Sequence, residues 1–158
     1  MFREMRRRGQ AISLEECVFL LKTEKRGALA MSGDNGYPYA IPLNFYFDEA
    51  ENKIYFHCAK EGHKLDAIKN DGRVCFTLWN SGERHAGDWA YHVKSVVVMG
   101  RARLVDDKAV IYEKTKAIGL KYYPDAGSVD EELRRAISRV ALIELAIEHI
   151  TGKTVHEK

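Results

Sequence analysis

The run from Ile54 to Asp66 starts as a strand, breaks at a polar turn holding Gly62 and two cations, and resumes as a helix over Lys64 to Asn70. A strand that delivers His57 and Lys64 to the start of a helix makes a cradle for an anion. The free N–H groups and the positive end of the helix dipole both face that turn. Lys64 alone would sit unfavourably against that dipole, and a phosphate between the two accounts better for a cation there. His57 ends the strand where the turn begins. Its imidazole titrates near neutral pH, so it can hydrogen-bond a ligand or pass a proton. Ala59, Gly62 and His63 line the same turn, although a histidine at position 63 equally suits an exposed helix start.

Upstream lies Gly36-Tyr37-Pro38-Tyr39-Ala40-Ile41-Pro42-Leu43-Asn44-Phe45. Two prolines in an apolar, strand-like run suit an edge strand or a bulge, with backbone groups left free for a ligand. The two segments together point to a bound phosphorylated cofactor. A metal is not expected, because His57, Cys58, His63 and Asp66 form none of the usual ligand spacings and one turn cannot converge four ligands. Cys58 has no visible base partner and reads as a small buried thiol.

The elements that must position these residues follow from caps and turns. Ser13-Leu14-Glu15-Glu16 is a capping box that opens a helix ending near Glu24. Strands are expected at 28–31, 39–47, 53–58, 74–79 and 94–105, with a last one from Val140 to Ile147 and a C-terminal strand region reaching about 150. Helices are expected at 64–70, at 107–121 after Asp106 or Asp107, and from a cap at Ser128 to about Arg139, with a loop at 124–127. Gly100 inside a long strand marks a bulge or a close approach. Long crossover helices at regular intervals are missing, so a small antiparallel barrel with peripheral helices fits better than a doubly wound sheet. Trp79, Trp89 and Tyr91 are candidates for exposed aromatics; ordinary packing is the favoured reading, a stack on a ligand ring or closure of a neighbouring subunit's pocket by Trp89 or Tyr91 is the alternative, and the loop 80–92 reads as a variable pocket wall.

Composition narrows the class. A chain of 158 residues with 46% hydrophobic residues is read as one domain, 1–158, with an N-terminal arm and helix over about 1–25. A net charge of +2 argues against a nucleic-acid partner, and Arg6-Arg7-Arg8 reads as a solvated arm. Three cysteines without CxxC spacing fit a reducing cytosol, and no leader or membrane span is visible, so a cytoplasmic setting is expected.

Five segments occur in a familiar order: Arg6-Arg7-Arg8-x-Gln10, Gly36-Tyr37-Pro38-Tyr39-x-x-Pro42-Leu43-Asn44, Ile54-Tyr55-Phe56-His57-x-Ala59-x-x-Gly62-x-Lys64, Ser95-Val96-x-x-x-Gly100-Arg101-Ala102, and Ile150-Thr151-Gly152-Lys153. In these segments, from about Met5 to Lys153, the chain resembles the flavin-binding split-barrel superfamily related to pyridoxamine 5'-phosphate oxidase, and within it the nitroimidazole-resistance branch. The resemblance implies a mostly β chain with peripheral helices, a six-stranded antiparallel split β-barrel, and a homodimer binding FMN at its interface. It implies that Lys64 holds the FMN phosphate and that His57 lies near the flavin as the catalytic residue. Tyr39, Ala40, Ile41, Pro42, Leu43 and Asn44 would line the ring through backbone groups, and Ser95 would reach the cofactor from the long strand. The activity implied is reduction of a small molecule, nitroaromatics included, with a nicotinamide donor possible. A flavin carrier or redox sensor, a pyridoxamine 5'-phosphate oxidase-like activity, and haem or deazaflavin chemistry stay open as alternatives.

Overall fold

A computed structural model describes residues 1–123 and 125–157; Pro124 of the expected loop and Lys158 lie outside the described residues. The strands are β1 (Arg26–Ser32), β2 (Pro38–Asn44), β3 (Tyr46–Asp48), β4 (Lys53–Ala59), β5 (Arg73–Trp79), β6 (Glu83–Arg84), β7 (Tyr91–Leu104) and β8 (Val140–Glu157). The α-helices are α1 (Leu14–Thr23), α2 (His63–Asn70), α3 (Lys108–Tyr122) and α4 (Ala126–Ala136). All strands pair antiparallel in one sheet of order β2-β1-β5-β7-β8-β4-β3, with β6 attached to β7. Because β2 runs on into β3, the two ends of the sheet come back together and the sheet curls into a split barrel.

Alternation along each strand decides what faces inward. Leu29 and Met31 of β1, Val74, Phe76 and Leu78 of β5, and Val96 and Val98 of β7 fill the barrel. Phe76 meets Phe45 and Phe56 edge-on, at 4.9 and 5.1 Å between ring centres. Burying rings of this size stabilises by about 2–3 kcal/mol each. A smaller core on the opposite face of β4 joins Tyr55 and Leu142 to Val105 and to Ile118 of α3. It seats α3 over the strand that carries His57.

The local signals fare as chemistry dictates. The Ser13–Glu16 capping box forms in both directions, and Asp107 caps α3. Three expectations are corrected. The 39–47 strand is two strands, because the Phe45 N–H donates to the Tyr122 hydroxyl at 3.0 Å and that hydroxyl also bonds the carbonyls of Lys25 and Phe45. The last strand runs to Glu157, since β7 offers a partner as far out as Tyr91. The split of 39–47 and the two-residue β6 bring the strands to eight among the described residues, within the expected antiparallel split barrel. The last helix is capped by Asp125, whose carboxylate accepts from the N–H groups of Gly127 and Ser128, and not by Ser128. No helix among the described residues is long and apolar enough to cross a membrane.

Candidate functional site

The turn after β4 has the geometry of an open cradle. Gly62 holds φ at +130°, a region that L side chains rarely enter, and nothing lies within 4 Å of where a Cβ would stand. The backbone turns sharply there and α2 begins at once, so Lys64 sits in its first turn. An α-helix leaves its first N–H groups short of partners. Among the described residues no carboxylate lies within 4 Å of the Lys64 ammonium. A helix start, a glycine turn and an unpaired lysine suit a phosphate. His63 is turned aside: it stacks on Tyr39 at 4.2 Å between ring centres and faces the Asp34 carboxylate at 3.4 Å.

β2 is an edge strand, as the two prolines foretold. Tyr39, Ile41 and Leu43 point their side chains at the core, whereas Ala40 and Pro42 point outward and are exposed. Any contact from 39, 41 or 43 to a ligand outside the barrel therefore runs through backbone groups.

His57 and Ala59 face the same outer side, and His57 meets Asn44 on the wall of a cavity of about 500 Å³. The other walls come from α3 and α4, among them Thr115, Ile118, Tyr122 and Leu133. The surrounding protein desolvates the imidazole and the nearby Lys64 charge repels a proton. Both hold the His57 pKa below the ordinary value. Burial likewise raises the Cys58 thiol, against an opposing pull from Lys64, so the half-buried Cys58 is a protonated thiol at neutral pH.

α3 is fastened over this wall by ion pairs. Lys114 reaches Glu51 at 2.6 Å, Asp48 at 2.8 Å and Glu113 at 3.0 Å. Burial alone would depress Lys114, but these carboxylates outweigh it and raise its pKa. Glu51 in turn is held down at about 2, chiefly by Lys114 and then by the Tyr55 hydroxyl.

Ser95 lies elsewhere. It pairs with Lys153 on β8, while His57 pairs with Leu142, eleven residues back along the same strand. Ser95 thus stands toward the far end of the β7–β8 pair from the strand position of His57. The aromatic candidates are exposed and not packed into the core: Trp79 and Trp89 stand at 57% and 79%, and the Arg84 guanidinium lies over the Trp89 and Tyr91 rings. Among the described residues no three His, Cys, Asp or Glu side chains converge as a metal site.

A family model described as pyridoxamine 5'-phosphate oxidase matches residues 13–154. The chain belongs to that family. No curated protein matches it. Solved structures share the fold over nearly the whole chain. A candidate 5-nitroimidazole antibiotic resistance protein of Bacteroides thetaiotaomicron superposes with a TM-score of 0.78 at 18% identity, over 92% of this chain and 87% of its own. The flavocytochrome Anf3 of Azotobacter vinelandii gives 0.75 at 22% identity, over 97% and 72%. A FAD-binding protein of Mesorhizobium loti gives 0.66 at 22%, over 92% and 97%. Identities this low establish the split-barrel fold that the strand pattern and the resemblance both implied.

Proposed function

We propose that this member of the pyridoxamine 5'-phosphate oxidase family is an FMN-dependent reductase of small molecules, nitroaromatics among them. The observation that carries the reading is the cradle: Lys64, without a carboxylate partner among the described residues, in the first turn of α2 behind Gly62. Lys64 and the α2 N-terminus would hold the phosphate, the β2 edge from Tyr39 to Asn44 would flank the ring, and His57 would face the reacting side. Bound FMN supplies the hydride chemistry, and the chain holds and orients the partners and manages protons. Flavin proteins among the solved relatives support the cofactor class.

The absorbance spectrum of the purified protein, with the released flavin identified by chromatography, tests this reading. FMN is the expected species; FAD, or no flavin taken up from an equimolar mixture, overturns the assignment. Lys64→Ala is expected to weaken FMN by about 1–3 kcal/mol, the worth of a charge-assisted hydrogen bond, and to leave riboflavin affinity unchanged. Equal loss for both flavins removes Lys64 from the phosphate site.

The reading includes a homodimer. Ala28 and Ala30, Ala40 and Pro42, Cys75 and Thr77, and Val97 and Met99 line up across β1, β2, β5 and β7 on the outer face, half-buried or exposed, with Phe2 of the N-terminal arm beside Ala30, Cys75 and Met99. A two-fold pairing of this face is the commonest arrangement, and it lets Ser95 of one copy approach the cradle of the other. Light scattering of the FMN-loaded protein is expected to give twice the chain mass; a monomer mass contradicts the shared site.

A further inference from the structure

The cavity between α3, α4 and β4 has a charge pattern that chooses its occupant. Among its described lining residues Glu132 is the one formal charge, and no lysine or arginine contributes. His57 is held toward its neutral form. The floor is apolar, with Ile118, Val129 and Leu133 all buried. Thr115 on the same wall is 8% exposed, and its hydroxyl has no hydrogen-bond partner among the described residues. A buried hydroxyl without a partner is an unmet demand that a ligand's polar group can fill. A cavity of this size suits a molecule of one or two rings.

We propose that this cavity is the site of the electron acceptor, that it takes uncharged or cationic ring compounds, and that Glu132 and Thr115 set this specificity. The proposal rests on the reductase reading above. His57 links the two sites: it lines the cavity, and it stands on β4, the strand that runs on into the Gly62 turn and the start of α2. A ring lying in the cavity against His57 is therefore next to the place where FMN would bind. An anion there meets Glu132, and no described lining residue is a lysine or arginine to offset it. The cavity thus rejects phosphate esters, which separates this chain from an enzyme that takes a phosphorylated vitamin as substrate.

Three probes sharing one ring test the idea: 4-nitrobenzyl alcohol, 4-nitrobenzylamine and 4-nitrobenzyl phosphate. Each is titrated calorimetrically into the full chain, with and without FMN. The alcohol and the amine are expected to bind, and the phosphate about tenfold or more weaker. Glu132 is exposed, so Glu132→Lys should fold normally. It is expected to weaken the amine and strengthen the phosphate, each by about three- to tenfold. Ala136→Trp, which fills the cavity from α4, is expected to abolish binding of the alcohol without changing FMN affinity; circular dichroism checks that it folds. Thr115→Val is expected to weaken the alcohol while the fold persists. Phosphate binding as tight as the alcohol, or probe affinities indifferent to Glu132→Lys and Ala136→Trp, overturns the proposal. A chain that binds no flavin but ranks the probes in this order keeps the cavity assignment and loses the reductase reading. A chain that reduces the probes with bound FMN, indifferent to both substitutions, does the reverse.

Discussion

His57→Ala is expected to lower turnover of a nitro compound by ~10²–10⁴ while most of the FMN stays bound, the usual cost of losing a positioned general acid. His57 stands at the outer face of β4, between Lys64 and the cavity where an acceptor would lie. Without a ligand, desolvation and then the Lys64 charge hold its pKa below the ordinary value. Once Lys64 is paired with a phosphate it repels the imidazolium less, so loading with FMN is expected to raise the His57 pKa back toward neutrality. A general acid works best when its pKa lies near the working pH. The rate should then fall as pH rises through the His57 pKa of the loaded protein, and the variant should lack that limb. An NMR titration of His57 with and without FMN checks the shift. A His57→Ala protein whose remaining activity tracks its FMN content would make His57 a packing residue. No turnover by the parent with any nicotinamide or chemical donor would mean a flavin carrier.

Stability has its own pH dependence, and the two effects separate. The folded His57 pKa lies below the unfolded value, so at acid pH the unfolded chain binds more protons there. Stability from this group is present above the unfolded pKa and is lost as pH falls toward the depressed folded one. That loss runs opposite to the activity limb, which appears as pH rises.

The parts of the site that were legible in the sequence are those made by neighbours in the chain. The capping box at Ser13 and Glu16, the Asp107 cap and the Gly62-to-Lys64 turn each depend on residues a few positions apart, and each forms as read. What was missed depends on partners far along the chain. Nothing near Phe45 announces that the Tyr122 hydroxyl, 77 residues later, will take its backbone groups and split the strand. The length of β8 could not be read from 148–157 alone, because Tyr91 and its neighbours on β7 supply the pairing. The cavity is the clearest case. Thr115 and Ile118 fall in one expected helix and Leu133 in another, with nothing in either to say that they meet. Only the docking of α3 on the Tyr55 and Leu142 core, pinned by Lys114, turns both toward His57.

Gly100→Ala is expected to destabilise the fold by about 3 kcal/mol, the upper end of ordinary overpacking. The cause lies in the longest strand pair. β7 and β8 slip register between Met99 and Gly100: Met99 faces His149, but Gly100 faces Ile147. This bulge brings the two backbones so close that a Cβ at position 100 would stand 2.1 Å from the Ala146 carbonyl oxygen. A backbone atom cannot swing away as a side chain can, so β7 must lift or the bulge must move. For a chain of this size the loss corresponds to a melting midpoint lower by roughly 6–12 °C. Gly9→Ala is the control, because nothing lies within 4 Å of its Cβ position; its change should stay within about 0.5 kcal/mol. A Gly100→Ala midpoint as high as that of Gly9→Ala would show that the pair tolerates a side chain there. The bulge also matters for the site, because β8 carries the register of His57 at one end and of Ser95 at the other. In the proposed FMN-bound dimer a shift at Gly100 would alter how the face with Ala40 and Val97 meets a second copy, and on that reading the surviving folded fraction of Gly100→Ala is expected to dimerise more weakly and hold less FMN than the parent.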